Sequence, residues 1–208
     1  RATSGESDAP GAALPAQVMK YCARLSTTPS FRTSSKLSAP TRRAATILRA
    51  REEGVSNFSV LSAHKTMPDA LTALLSGNAN VQALLCPGHV ATITGADAFR
   101  FVPERLALPG AVAGFEPQQI LLALAAIARM RARGEVKLLN LYPAAVRARG
   151  NEAAQRLMAT VFEPCAANWR GLGEIEASGL ALRGEFSAFD ARRRFEIPQG
   201  DDIPEGGR

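Results

Sequence analysis

Few side chains in this sequence could perform chemistry, and most of them directly follow short apolar segments. The sequence contains two histidines, at positions 64 and 89. The residues that follow predicted strands are His64, Lys65, Cys86, His89, Glu116 and Tyr142. Imidazole, thiolate and carboxylate groups can transfer protons or ligate metals, and an ammonium group can hold an anion. These positions are therefore the candidate functional residues.

Apolar strand-like segments and helical segments alternate along the middle of the chain. The segments that we predict to be strands are 57–63, 81–86, 111–115 and 136–142. Helices are predicted to begin at Pro40, Pro68 and Pro117 and to cover 144–162, because proline favours the first helical turn. Segment 102–110, with two prolines, is predicted to be irregular. This order is typical of βαβ units, so the predicted fold class is α/β with a thioredoxin-like or doubly wound parallel sheet.

A parallel sheet would bring the candidate residues together. The carboxyl ends of its strands lie at one edge, where ligands bind. We therefore expect His64, His89 and Glu116 to share that edge with Lys65, Cys86 and Tyr142. Structural roles remain open: a hydrogen-bonded histidine, a buried cysteine that acts as a small hydrophobic residue, or a glutamate that favours the positive end of a helix. Cys86 and His89 are also candidate metal ligands.

Composition indicates three regions. Residues 1–38 are rich in alanine, serine, threonine and proline and are predicted to be a disordered or degraded arm. Residues 39–163 are predicted to form the α/β core. Residues 164–208 are glycine-rich and are predicted to form a small β appendage that packs back on the core, with a disordered tail at 198–208.

The overall composition limits the function classes. Hydrophobic residues make up 46% of the chain, but no apolar run reaches the roughly 18 residues of a membrane helix, and no secretory signal is visible. We therefore predict a cytoplasmic protein without a membrane partner. The net charge of +6 would allow a basic adaptor that binds nucleic acid through residues 1–51. Aromatic residues make up only 6%, so stacking platforms for bases are scarce and nucleic acid is an unfavoured partner.

Several segments together carry a family resemblance. They are NFSVLSAHK (57–65), LLCPGHVATITG (84–95), AVAGFEPQQIL (111–121), Asn140 with Tyr142 and Val146, Gly150-Asn151 with Ala153, and WRGLGEIEASGLAL (169–182). In their order and spacing these segments resemble the HypD family of [NiFe]-hydrogenase maturation factors. The resemblance covers roughly residues 39–196.

The resemblance implies a role in assembling the iron–cyanide–carbon monoxide centre of [NiFe]-hydrogenase. It implies a HypC-type small chaperone and a HypE-type cyanide donor as partners, and iron and a [4Fe–4S] cluster as cofactors. Such a protein is an accessory factor rather than a stand-alone enzyme. His89 of PGHV would ligate or hydrogen-bond a diatomic ligand, and Glu116 of GFEP would position or protonate it. In the family these motif positions line an interdomain cleft, and the resemblance implies that Pro87, Gly88 and Gly114 would contribute to ligand binding there.

The sequence departs from the family pattern at its cysteines. The family's CGxHxH and GPGCPVC motifs have no counterpart, SSKLS stands where GFETT is expected, and the cluster cysteines expected after residue 198 do not follow. Such a cluster requires about four thiolates in one place. The three separated cysteines, Cys22, Cys86 and Cys165, predict that this chain binds no cluster and is functionally incomplete. The alternative hypothesis is a generic α/β enzyme that uses Glu116 and His89 as an acid–base pair.

Overall fold

The computed structural model describes residues 39–76 and 80–195. The helices in this part are α1 Ala39–Glu52, α2 Met67–Leu75, α3 Gly88–Thr94, α4 Phe101–Leu106, α5 Pro117–Ala132, α6 Glu152–Val161 and α7 Ala191–Arg194. The strands are β1 His64–Lys65, β2 Leu84–Pro87, β3 Gly110–Ala113, β4 Leu138–Asn140, β5 Phe162–Trp169 and β6 Gly173–Leu182. Short 3₁₀ helices cover Ala96–Phe99 and Gly184–Phe189. The predicted arm 1–38 and tail 198–208 lie outside the described residues.

Three strands form the predicted parallel sheet, in the order β2–β3–β4. The central strand, β3, is buried at every position because α5 covers one face and α3 and α4 lie on the other. Strands of parallel sheets are characteristically apolar for this reason. The prediction of an α/β fold with a parallel sheet is therefore confirmed.

A second, antiparallel sheet has the order β1–β6–β5. β5 and β6 form a hairpin in the C-terminal region, and β1 pairs with β6 from a distant part of the chain, with His64 opposite Leu180. β5 begins at Phe162 and continues past the predicted boundary at residue 163. The predicted division into a 39–163 core and a 164–208 appendage stays a prediction.

Each sheet has its own hydrophobic core. The antiparallel sheet packs with α1 and the Gly184–Phe189 turn around Ile47, Phe162 and Phe186. The parallel sheet packs on one face around Phe99, Val102 and Val112, and on its other face around alanines that allow close approach of α5. The apolar positions of α1, at 44, 47 and 50, recur every three residues and face the first of these cores.

The predicted strand at 57–63 is wrong. This segment forms only an isolated bridge between Val60 and Asp190, and the nearby strand is the two-residue β1. Phe58 and Val60 are partly buried against one core, whereas Leu61 is 49% exposed. The segment is therefore covered on one side only, which explains why an apolar run did not become a strand of the parallel sheet.

Two other sequence predictions were also wrong in extent. Segment 102–110 contains helix α4, because Pro103 occupies its first turn, where no intrahelical N–H is needed. The helix predicted over 144–162 begins only at Glu152. Gly150 has a φ of +65°, a left-handed conformation that interrupts a helix, and the Asn151 side chain caps α6 by accepting a hydrogen bond from the Ala154 N–H at 3.0 Å.

Candidate functional site

The carboxyl edge of the parallel sheet carries three chain segments that the sequence singled out. Pro87 and His89 lie where β2 passes into α3, Gly114 and Glu116 lie between β3 and α5, and Tyr142 follows β4. The register places Pro87 opposite Ala113 and Val112 opposite Asn140, so the three segments leave the sheet side by side. The name "carboxyl-edge site" is used below for His89, Phe115, Glu116 and Tyr142 with the turns that hold them.

Gly88 allows two of these segments to touch. A Cβ atom at this position would lie 2.5 Å from the Ala113 carbonyl oxygen and 2.9 Å from Tyr142 Cδ1. Real Cβ atoms do not approach backbone oxygens that closely, so glycine is needed where β2 ends against β3. The tight approach fixes the direction in which α3 leaves the sheet and hence the position of His89.

His89 and Phe115 form an exposed aromatic pair at the edge. Their ring centroids are 4.5 Å apart with an interplanar angle of 44°. His89 is exposed, and Phe115 is 60% exposed. Aromatic pairs in this distance range are stabilising, but a large ring left in water is costly unless another surface covers it. The pair therefore offers both a nitrogen ligand or hydrogen-bonding group and an apolar contact surface.

Glu116 is the residue immediately before α5, and its side chain is exposed and makes no capping hydrogen bond. Its carboxylate is placed at the positive end of a 16-residue helix. Within the first turn, the Gln119 side chain lies over Gly114, where an added Cβ would come within 2.8 Å of Gln119 Cδ. Gln119 Oε1 is buried and has no hydrogen-bond partner among the described residues. Gly114 is thus the position that makes room for the glutamine beneath the site.

Tyr142 is held by a turn built on Asn140. The Tyr142 backbone N–H donates to Asn140 Oδ1 at 3.0 Å, and Asn140 Nδ2 donates to the Val146 carbonyl at 2.8 Å. The Val146 N–H in turn donates to the Tyr142 carbonyl at 2.9 Å. These bonds orient the half-buried tyrosine toward Gly88 and the β2–α3 turn.

The prediction that His64 shares this edge is wrong, because β1 is antiparallel and belongs to the other sheet. Arg43 Nη1 lies 3.3 Å from His64 Nε2, and Ser62 Oγ lies 3.0 Å from Nδ1 while donating to the Leu180 carbonyl. These partners favour a neutral imidazole that donates from Nδ1. Burial, and secondarily the Arg43 charge, lower the pKa of His64. His64 thus connects α1 to the antiparallel sheet.

Lys65 also lies away from the predicted edge. Its Nζ donates to the Asn168 carbonyl at 2.6 Å and lies 5.6 Å from the centroid of the Trp169 ring. Trp169 Nε1 donates to the buried Ser178 hydroxyl at 2.8 Å. Lys65 and Trp169 therefore join β1 to the β5–β6 hairpin, and the anion contact proposed for Lys65 at the parallel sheet has no geometric basis.

Cys86 lies next to the site but is turned into the core. It is 3% exposed, packs in the cluster around Val102 and Val112, and burial raises the pKa of its thiol to about 12. The thiol is therefore protonated at pH 8, where roughly one in four molecules of an ordinary cysteine is ionised. A buried thiol is a poor nucleophile and a poor metal ligand, so packing explains this residue.

We expect Cys86 to resist alkylation in the folded protein. Iodoacetamide at pH 8, followed by peptide mapping, should leave Cys86 unmodified while the half-buried Cys165 reacts. Denaturation in urea should make both react equally, which is the internal control. Modification of Cys86 at the rate of Cys165 in the native protein would contradict its assignment to the core.

The described residues do not fit a [4Fe–4S] cluster. Among residues 39–76 and 80–195, no three histidine, cysteine or acidic side chains lie close enough together to hold a metal ion. The two cysteines in this part of the chain are Cys86, buried in the parallel-sheet core, and Cys165, in β5 of the other sheet. The cluster call for the whole chain stays a prediction, and no chemistry is assigned through such a group.

Sequence analysis did not select Phe115, Asn140 or Gln119 as site residues. The signal for Phe115 was its place in Gly114-Phe115-Glu116-Pro117, directly after a buried strand, where a large apolar residue is unexpected. Asn140 ends β4, and a short polar side chain at a strand end commonly builds a turn. Nothing in the sequence indicated that Gln119 would be folded back over Gly114.

None of the helices in the described part of the chain has the length and apolar character needed to cross a bilayer.

The sequence matches the family described as "HypD: Hydrogenase formation hypA family" over residues 36–206. A protein of Methanocaldococcus jannaschii named as a hydrogenase expression/formation protein is 36% identical over 169 residues, which is 81% of this chain and 47% of that protein.

Two bacterial relatives are named hydrogenase maturation factor HypD. The protein from Rhodobacter capsulatus is 36% identical over 153 residues, and the protein from Escherichia coli is 36% identical over 156 residues. Each alignment covers 73% of this chain and 41% of the relative. This chain therefore spans less than half the length of the curated relatives it matches.

Proposed function

Because this chain belongs to the HypD family, we propose that it takes part in hydrogenase maturation as a scaffold for the iron–cyanide–carbon monoxide centre. Iron with its diatomic ligands would be the cargo rather than a resident cofactor. The generic-enzyme alternative finds no support in the comparisons. In this proposal the carboxyl-edge site is the surface that meets the cargo and the protein that carries it, in the cytoplasm.

The observation that carries the proposal is the convergence of the three turns after β2, β3 and β4. It places the exposed imidazole of His89 in contact with Phe115, the residue next to Glu116. The polar groups suit a small polar ligand, with His89 as a ligand or hydrogen-bonding group and Glu116 positioning or protonating the ligand. The apolar ring suits a protein surface that would exclude water around the cargo.

We propose a HypC-type small chaperone as the direct partner at this site, with a HypE-type protein supplying cyanide. Phe115 is 60% exposed and lies in the short turn between the buried strand β3 and Pro117 of α5, a large aromatic side chain available to anchor an interface. Exposed aromatic residues of this kind commonly dominate the binding free energy of an interface.

The test is a binding measurement between this chain and a HypC-type chaperone by isothermal titration calorimetry. Phe115→Ala and His89→Ala should each weaken binding by about tenfold or more, the effect expected when a hot-spot side chain is removed. The matched control is Leu172→Ala, which removes an exposed apolar side chain at the tip of the β5–β6 hairpin and should leave affinity unchanged.

Circular dichroism melting of each variant separates a binding defect from a folding defect, because both site residues are exposed and should contribute little to stability. Two results would count against the proposal: no complex at chaperone concentrations of about 100 μM, or equal weakening by the site variants and the hairpin control. The first result would exclude a HypC-type chaperone as the partner, and the second would exclude the carboxyl-edge site as the binding surface.

A further inference from the structure

His64 lies in a chain of hydrogen bonds that links α1 to the antiparallel sheet. Arg43 of α1 approaches the ring with its Nη1 3.3 Å from Nε2, and Ser62 Oγ lies 3.0 Å from Nδ1. Ser62 also donates to the carbonyl of Leu180 in β6. The edge of the imidazole packs against Phe162 of β5, with ring centroids 5.2 Å apart. The name "His64 cluster" is used below for these five residues.

The donors and acceptors of the His64 cluster require a neutral imidazole. A guanidinium has donors and no acceptor, so Arg43 can bond only to an unprotonated Nε2. A hydroxyl has a single hydrogen, which Ser62 gives to the Leu180 carbonyl, so Ser62 Oγ accepts from the Nδ1–H. A second proton on the ring would break the bond to Arg43 and place two cationic groups 3.3 Å apart. The observed position of α1 therefore matches the neutral form of His64.

The charges around His64 do not compensate for a proton on its ring. Arg43 faces the ring from α1, whereas β5 and β6 present an aromatic edge and a carbonyl. The neighbouring charges on the strands are bonded elsewhere: Lys65 donates to a backbone carbonyl of β5, and Glu163 pairs with Arg183 at 3.6 Å. Burial, followed by the Arg43 charge, lowers the pKa of His64, and no carboxylate in the described part of the chain raises it.

The N-terminal half of α1 buries little apolar surface. Ile47 is the first large side chain of this helix in the hydrophobic core, and the buried residues before it, Thr41 and Ala44, are small. The first turn contains no acidic residue and ends with Arg42, whose charge is unfavourable at the positive end of a helix dipole. This half of α1 therefore depends more on its contact with the His64 cluster than the half that follows Ile47.

We propose that the His64 cluster is a pH-sensitive switch, which holds the N-terminal half of α1 on the antiparallel sheet while His64 is neutral and releases it when His64 is protonated. The proposal is independent of the role in hydrogenase maturation. In the released form His64 is expected to have the ordinary histidine pKa of about 6.5, whereas the pKa in the attached form is lower. Protons therefore bind the released form preferentially, so attachment is strongest above about pH 7 and weakens as the pH falls.

The first measurement is an NMR titration of the full chain from about pH 8 to about pH 5. The variant His89→Gln leaves His64 as the single histidine, so its ring signal is read without overlap. The ring should titrate below the ordinary value. Amide hydrogen exchange of residues 40–46, corrected for its intrinsic pH dependence, should become several-fold faster at about pH 5, with an upper limit of about thirtyfold set by linkage. A ring midpoint at or above about 6.5, or unchanged exchange in residues 40–46, overturns the proposal.

The second measurement repeats the exchange experiment with variants of the cluster. His64→Gln keeps an acceptor for Arg43 and a donor for Ser62 but cannot gain a proton, so residues 40–46 should exchange slowly at both ends of the pH range. Arg43→Leu, at an exposed position, should instead make these residues exchange faster at neutral pH and reduce the change on acidification. The amides of α5 are the internal control and should respond equally in all variants. A pH response that persists in His64→Gln, or exchange that Arg43→Leu leaves unchanged, overturns the proposal.

Discussion

Replacing Gly150 with alanine is expected to lower the free energy of unfolding by about 4 kcal/mol or more, a large fraction of the roughly 5–15 kcal/mol of a typical domain. Gly150 has a φ of +65°, and a Cβ there would lie 2.3 Å from both the Ile93 carbonyl oxygen and the Gly95 nitrogen. Both atoms belong to the backbone, so neither can rotate out of the way. The left-handed conformation by itself accounts for only about 1 kcal/mol of this loss.

The surrounding hydrogen bonds explain why the backbone cannot yield. The Asn151 N–H donates to the Ile93 carbonyl at 2.9 Å, and the Ala96 and Asp97 N–H groups donate to the carbonyls of Arg147 and Ala148. Gln155 Nε2 also donates to the Ile93 carbonyl, at 2.7 Å. Moving the segment around Ile93–Asp97 away from the segment around Arg147–Asn151 by the width of a methyl group would break several of these hydrogen bonds at once. Each bond is worth about 1 kcal/mol.

Gly134 provides the matched control for this prediction. It has the same φ of +65°, but a Cβ added there would meet nothing within 4 Å. Gly134→Ala should therefore cost only about 1 kcal/mol, the conformational part of the effect. Urea denaturation of the two variants and the parent gives both values. Equal losses at the two positions would show that crowding at Gly150 is not the cause.

Replacing Phe186 with alanine is expected to lower the free energy of unfolding by about 4 kcal/mol, within the range for large aromatic residues in cores. Phe186 is fully buried in the cluster that includes Ile47 of α1 and Phe162 of β5, and the Arg51 guanidinium lies 4.6 Å from the centroid of its ring. The loss combines the removed apolar contacts with the cavity left behind, because neighbours from three elements cannot all move inward.

Phe195 provides the comparison, because it is the same residue type at 44% exposure. Phe195→Ala should change stability by less than about 1 kcal/mol. Scanning calorimetry of both variants measures the shifts in Tm, and a drop of roughly 2–4 °C per kcal/mol is expected for a protein of this size. A small shift for Phe186→Ala would mean that the Gly184–Phe189 turn does not belong to the core around α1.

Stability and the proposed partner binding depend on different hydrophobic cores of this chain. The core around Phe186 depends on α1 and on residues 184–189, which are far apart in sequence. The carboxyl-edge site depends on the other core, where glycines and alanines permit close contacts between β2, β3 and α5. We therefore expect substitutions near Phe186 to reduce stability without a specific effect on partner binding. Substitutions at Phe115 should weaken partner binding without reducing stability.

Local patterns in the sequence were sufficient to predict the parallel sheet and to place three of the candidate residues at one of its edges. Apolar segments at 81–86, 111–115 and 136–142, between predicted helices, identified β2, β3 and β4, because strands covered on both faces require a continuous apolar run. Pro117 marked the beginning of α5, and Gly134 marked its end. Topology then requires that His89, Glu116 and Tyr142 follow neighbouring strands at one edge.

Tertiary contacts decided the rest. Whether the 57–65 segment joined the parallel sheet depended on its pairing with Leu180, more than a hundred residues away, and this removed His64 and Lys65 from the site. The contact of His89 with Phe115 and the burial of Cys86 likewise depend on which faces the helices cover. Hydrophobic pattern and backbone propensity act over a few residues, whereas strand partners and solvent exposure depend on distant chain segments that local sequence does not encode.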